Sequence, residues 1–354
     1  MIPKNNCTKQ YILDLADKYN ISPTLMCKNI FVLYTLDAMT TVKLPFILKG
    51  GTALLFLSNH LFRVTQDIDI TVDSSVPLDD YINKIRNEYK CLRFEEEHRP
   101  KYSQVPKRHF KVWFFSPIDA TEQFIFLDIV LKHTPYAKLI QVPMKCDLIE
   151  FSNPVSFVTV PDTNSIVGEK LVAAISTRLG IRLDPIIGYG TIKHIYDCAF
   201  LFDNCDNFNL VYNTFIDIAK SQPLYYGFNL NPEELLLSLV QACLCIIGRG
   251  YIKSKDYELY SYGIVKVQET QFVKNQPEQE ASARACIVLY MAACVLMKDE
   301  EAFLKKDLTE IIPITFMDVS VLDYINNYST RAYCYLSNGI SLLEAYLKKH
   351  KTVM

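Results

Sequence analysis

The feature that most constrains this chain is the run Asp67-Ile68-Asp69-Ile70-Thr71-Val72, in which two carboxylates alternate with branched apolar residues. Period-two alternation puts Asp67 and Asp69 on one face of a strand and Ile68, Ile70 and Val72 on the other. The apolar set belongs against a core, so the two acids stand side by side close to it. Unpaired buried carboxylates cost roughly several kcal/mol, and an ordinary core has no use for them. A divalent cation reverses that sign. Carboxylates at i and i+2 can hold one hard cation, or two about 4 Å apart, if a neighbouring strand adds a third. Asp128 is the obvious third, a lone acid in the apolar strand "FIFLDIVL".

The residues before this strand carry a second signal. In "ILKGGTALLFL" a short strand stops at Gly50-Gly51 and a helix follows. Such a turn exposes backbone N–H groups at the positive end of a helix, which suits phosphate oxygens, and Thr52 could add a hydroxyl. A phosphate cradle beside two-cation carboxylates points to phosphoryl or nucleotidyl transfer.

The rest of the chain sets the frame. Helices are expected over the first 40 residues, with Ser22 as N-cap and Pro23 at the first helical position. A helix near Leu78–Cys91 and strands "HFKVWFF" and "QFIFLDIVL" come next, with shorter strands expected near Met144–Ile149 and Val155–Val160. From Asp162 onward the pattern is almost wholly helical. The expectation is an α+β chain: a mixed sheet with flanking helices over 1–160, then a helical domain over 161–354. Half of the 354 residues are apolar and the net charge is −2, so nothing draws the whole surface to nucleic acid. Eleven scattered cysteines without a CxxC pair or a leader pattern predict reduced thiols and a cytoplasmic protein. The apolar runs Leu235–Ile247 and Ala285–Met297 are shorter than a membrane span of ~20 residues, and no membrane partner is expected.

"KGGTALL" followed by "RVTQDIDI" resembles the DNA polymerase β-like nucleotidyltransferase superfamily, and more narrowly the AbiEii/AbiGii toxin family of toxin–antitoxin and abortive-infection systems. Two downstream motifs continue the resemblance in order. "EKLVAAISTR" supplies Lys170 and Arg178, and "KHIYDCAFL" supplies Asp197; Lys193-His194 stands where the family usually has Arg-Asp. The resemblance covers about residues 44–203 and implies a polymerase-β-like core. It implies that Asp67, Asp69 and Asp128 bind one or two Mg²⁺ ions (or Mn²⁺), with Asp128 also placed to accept a hydroxyl proton. Gly50, Gly51, Thr52, Arg63, Thr65, Lys170 and Arg178 would bind the nucleotide phosphates, and Asp197 would complete the site through Lys170 or the acceptor. It also implies an NTP substrate, an RNA acceptor such as the tRNA 3′ end or a protein hydroxyl, and a separately encoded antitoxin.

Other readings stand beside this one. The replacement Lys193-His194 would suit a nucleotidyltransferase-fold module that binds nucleotide, RNA or protein without turnover. Another enzyme reading is a protein kinase or an AMP-transferring modifier. Lys193 and Asp197, at i and i+4, can simply form a surface ion pair. The basic stretch "RPKYSQVPKRHFK", residues 99–111, is either a solvated hairpin edge or a grip on RNA phosphates. Trp113, the lone tryptophan, is read as core, Lys49 as structural, and His194 as the one histidine near the site.

Overall fold

The computed structural model describes residues 7–58, 61–98, 106–131, 136–149, 155–175, 184–226, 231–250, 254–315 and 317–351. Two compact units divide the chain. The first is Met1–Asp162 with Glu269–Val273, and the second is Thr163–Gln268 with Lys274–Met354.

The first unit opens with α1 (Lys9–Tyr19) and α2 (Pro23–Thr41). Ser22 caps α2 by accepting the Leu25 N–H at 3.2 Å, and Pro23 takes the position where no hydrogen bond is lost. A seven-stranded mixed sheet follows: β1 (Ile47–Lys49), β2 (Asp67–Val72), β3 (Arg93–Glu96), β4 (Lys107–Phe115), β5 (Glu122–Leu131), β6 (Leu139–Pro143) and β7 (Phe157–Pro161). Their spatial order is β3-β4-β5-β2-β1-β7-β6. Helix α3 (Gly50–Leu57) joins β1 to β2, and α4 (Leu78–Glu88) precedes β3.

Alternation decides the two faces of the sheet. Ile68, Ile70, Ile125, Leu127, Ile129, Phe110, Val112 and Phe114 are all buried. Phe114 stacks on Phe31 of α2 with ring centroids 3.9 Å apart, so this face carries the core. The intervening residues of β4 and β5 are half-exposed for most of their length. A five-residue excursion from the helical part returns here: Thr270 accepts the Val64 N–H at 2.9 Å, and Phe272 N–H donates to Phe62 at 3.2 Å.

Several sequence expectations are corrected. The strand expected at Met144–Ile149 is Leu139–Pro143 instead; Ile140 and Val142 supply its alternation, while Cys146 and Ile149 form only an isolated bridge. Strand β3 was not expected, because "RFEE" is too short and charged to stand out; it is an edge strand. That makes β4 an interior strand, so its basic residues do not line a solvated edge as one reading supposed. Residues 99–105 of that stretch lie outside the described ones.

The second unit is helical: α5 (Thr163–Ala173), α6 (Pro185–Leu201), α7 (Phe208–Tyr226), α8 (Pro232–Ile247), α9 (Ser254–Thr270), α10 (Pro277–Met297), α11 (Glu300–Leu304), α12 (Val319–Tyr328) and α13 (Thr330–Lys351). The last residues of α9 belong to the first unit. Helix α10 packs against α6, α8 and α13. It spans 21 residues, long and apolar enough to cross a membrane, which corrects the length read from sequence; 78% of its apolar window is nevertheless buried in the protein. All eleven cysteines are free thiols.

Candidate active site

Strand register assembles the site in the first unit. His109 of β4 pairs with Asp128 of β5, Asp128 with Asp69 of β2, and Asp69 with Lys49 of β1. Four strands therefore carry one row of side chains, in the order His109, Asp128, Asp69, Lys49. Asp67 lies one pair-step along, opposite Phe126, which in turn is opposite Lys111. Paired residues share a face, so all three predicted carboxylates stand on the half-exposed face. Like charges directly opposite each other destabilise a sheet. The flanking bases offset part of that cost.

Asp128 has a defined side-chain partner. Its Oδ1 lies 2.7 Å from His109 Nδ1, and the two side chains are 34% and 18% exposed. An ionised carboxylate only accepts, so Nδ1 carries the proton and donates it. Lys107 lies on the same face of β4. Its ammonium is held below its usual range by loss of hydration and then by the Lys49 charge, while Asp128 and Asp69 pull it back up. A basic flank to the acids, Lys107 and His109, was not expected from sequence. The signal was present as the period-two set Lys107, His109, Lys111, whose alignment with Asp128 needs the strand pairing.

The glycine turn has a geometric cause. Gly50 sits at φ +67°, and a Cβ there would collide with Asp69 Oδ2. A Cβ on Gly51 would collide with the Arg63 guanidinium, which is buried beneath it. Lys49, the residue before α3, makes no side-chain cap to the helix N-terminus. Asp69 thus rests directly against the helix start that the sequence marked as a phosphate seat.

Thr52 and Thr65 are buried, and their hydroxyls lie 2.8 Å apart. Thr52 donates to the Asp67 carbonyl at 2.5 Å, and the Thr65 N–H donates to Asn29 Oδ1 at 2.7 Å. The two threonines thus tie α2 and α3 to the first residue of the carboxylate strand. Arg63 bridges to Gln271 in the returning segment.

In the second unit, Lys170 of α5 and Asp197 of α6 form an ion pair of 3.0 Å, with side chains 3% and 0% exposed. His194 Nδ1 lies 3.5 Å from the same ammonium. Asp197 therefore pairs with Lys170 across two helices and is buried rather than at the surface. Helix α5 ends at Ala173. Arg178 lies outside the described residues.

The family profile for the nucleotidyl transferase AbiEii toxin of type IV toxin–antitoxin systems matches residues 33–241, more than half of the chain and every motif above. The chain belongs to the AbiEii nucleotidyl transferase toxin family. A nucleotide substrate and an antitoxin partner come with that membership. No curated protein matches the sequence. Among solved structures, JHP933 from Helicobacter pylori is similar at 13% identity and TM-score 0.41, covering 72% of this chain and 88% of that one. A candidate nucleotidyltransferase from H. pylori is similar at 14% identity and TM-score 0.40, covering 72% and 91%.

AbiEii-type nucleotidyltransferases usually use divalent metals. The donor set fits one: three carboxylates on one face are hard oxygen ligands, with neither thiol nor paired imidazole among them. Among the described residues no three such side chains are already gathered round one point, and Asp128 is held by His109.

Proposed function

We propose that this AbiEii family member is a Mg²⁺-dependent nucleotidyltransferase of the cytoplasm that moves a nucleoside monophosphate from an NTP to the 3′ end of an RNA, a tRNA being the expected acceptor. The observation that carries the reading is the direct cross-strand pairing of Asp69 and Asp128, with Asp69 seated against Gly50 at the start of α3. Two acids in that arrangement cost stability, and they make chemical sense beside a phosphate seat.

Asp67, Asp69 and Asp128 would hold Mg²⁺ or Mn²⁺, which would supply Lewis-acid stabilisation of phosphate charge. The residues of this chain do the rest. The N–H groups opening α3 receive the phosphates, and Lys49 and Lys107 offset the negative charge near the acids. Asp128, oriented by His109 at Oδ1, takes the proton of the acceptor hydroxyl. The freed oxygen bonds to the α-phosphorus as the bond to the bridging oxygen breaks, and pyrophosphate leaves. In the helical unit Lys170 is paired with Asp197, with His194 beside it.

The test is incubation of the protein with each α-labelled NTP, Mg²⁺ and total tRNA, beside an Asp69→Ala variant. Label appearing in RNA with wild type and lost in the variant supports the reading. Nucleotide binding without transfer to RNA would sink it and favour the module without turnover.

A further inference from the structure

The outward face of the sheet does not become polar beyond the carboxylates, as a solvated face should. Two residues back along β5 from Asp128 comes Phe126, then Phe124, and Trp113 of β4 pairs with Phe124. All three rings are half-exposed, which corrects the reading of Trp113 as core. They touch in series: Phe126 to Phe124 with centroids 5.1 Å apart, and Phe124 to Trp113 at 4.9 Å. Cations lie over them, with the Arg93 guanidinium 5.0 Å from the Trp113 ring and Lys111 Nζ and Lys28 Nζ 5.2 Å and 5.6 Å from Phe124. Trp113 Nε1 donates to Glu95 at 2.8 Å, which fixes the indole plane.

Direction follows from the chemistry of the reaction proposed above, on which this inference rests. In an in-line displacement the attacking oxygen approaches opposite the leaving pyrophosphate. The phosphate seat at α3 lies on the β1 side of the row, so the acceptor arrives over β5 and β4. That is where the rings are. A row of aromatic side chains interleaved with cations is the surface on which unpaired bases stack, at one ring per base and with little regard to sequence. A serine or tyrosine acceptor on a folded protein brings no succession of planar groups to fill it.

We infer that Trp113, Phe124 and Phe126 form a stacking platform for the unpaired 3′ end of the acceptor RNA, leading its terminal hydroxyl to Asp128. Arg93 and Lys111 carry little net charge to the phosphates. Arg93 pairs with Glu95 at 3.2 Å and with Glu122 at 3.1 Å, and Lys111 pairs with Glu97 at 3.1 Å. Affinity at this surface therefore comes from stacking, and its salt dependence is shallow.

Trp113 is the single tryptophan of the chain, so its fluorescence reports on the platform alone. Titration of the full-length protein with an unpaired oligoribonucleotide bearing a free 3′ hydroxyl is expected to quench it, and a blunt duplex of the same bases is not. In the transfer assay, Trp113→Ala and Phe124→Ala are each expected to raise KM for RNA about tenfold, with KM for the NTP unchanged. Trp113→Phe, which keeps a ring, should stay near wild type, and this separates stacking from damage to the fold. Transfer to RNA with neither quenching nor a KM change in the alanine variants overturns the platform. Quenching by the single strand without transfer keeps the platform and overturns the proposed reaction instead. Transfer to protein alone, with no quenching by RNA, overturns both.

Discussion

The two units of this protein place charge near a core in opposite ways. In the sheet unit, Asp69 and Asp128 stand directly opposite each other on a half-exposed face, like beside like, with bases only at the flanks. In the helical unit, Lys170 and Asp197 are unlike charges, sealed from water and 3.0 Å apart. The second arrangement is self-sufficient; the first is complete only with something positive added. The difference teaches where to look for chemistry: at the charges whose neighbours fail to balance them.

The largest effect is expected where the balanced pair is broken. Asp197→Ala leaves the Lys170 ammonium buried without its carboxylate and should cost about 3–5 kcal/mol, read as a lower denaturant midpoint for unfolding. Replacing both residues, as Lys170→Met with Asp197→Leu, should restore most of that stability. If Asp197→Ala is as stable as wild type, the pair is not what holds α5 to α6.

A smaller loss is expected at the glycine turn of the sheet unit. Gly50→Ala forces a Cβ into a left-handed conformation at roughly 1–2 kcal/mol and pushes on the Asp69 carboxylate. Nucleotide transfer should fall further than stability does. Equal, small losses in both would mean that Asp69 is not held by this turn.

Alkali separates the units again. Burial raises the thiol pKa of Cys198, Cys243, Cys286, Cys294 and Cys334 in the helical unit, and in the sheet unit pushes Cys27 and Cys146 up to about 11 and Cys7 up to about 12. A raised thiol gives stability that is complete below its unfolded value of 9.0 and is lost as the pH climbs towards the folded one, at about 1.4 kcal/mol per pH unit for each group. Lys306 opposes this trend. Its ammonium is depressed to about 8 from 10.5 by burial, so the folded state gains relative stability across that window. With five thiols against Lys306 in the helical unit and three against Lys107 in the sheet unit, the helical unit should lose stability between pH 9 and 11 faster than the sheet unit, measured by denaturant midpoints at each pH.

Much of the sheet unit was legible in the sequence, because alternation is a local signal. "DIDITV" and "FIFLDIVL" gave both strands and the face of each carboxylate, and Gly50-Gly51 gave the helix start. What local patterns do not carry is pairing. His109 becomes a partner of Asp128 only when β4 lies antiparallel to β5 in one register, and Lys107 acquires its neighbours in the same way. The return of Glu269–Val273 to Arg63 is non-local for the same reason. Trp113 was misread because an aromatic residue in an apolar strand is usually core, and only the register shows which face it takes. In the helical unit the motif residues Lys170 and Asp197 were visible, but their burial together was not, since both stand on helices apolar on nearly every side.

The most direct measurement is a pair of readings on one variant, Asp69→Asn, which removes one of two facing negative charges without changing the shape of the side chain. Relief of like-charge repulsion predicts a denaturant midpoint equal to or above that of wild type, together with a loss of NMP transfer of about a hundredfold or more. A variant that is destabilised yet still transfers nucleotide would contradict the assignment of this row to chemistry.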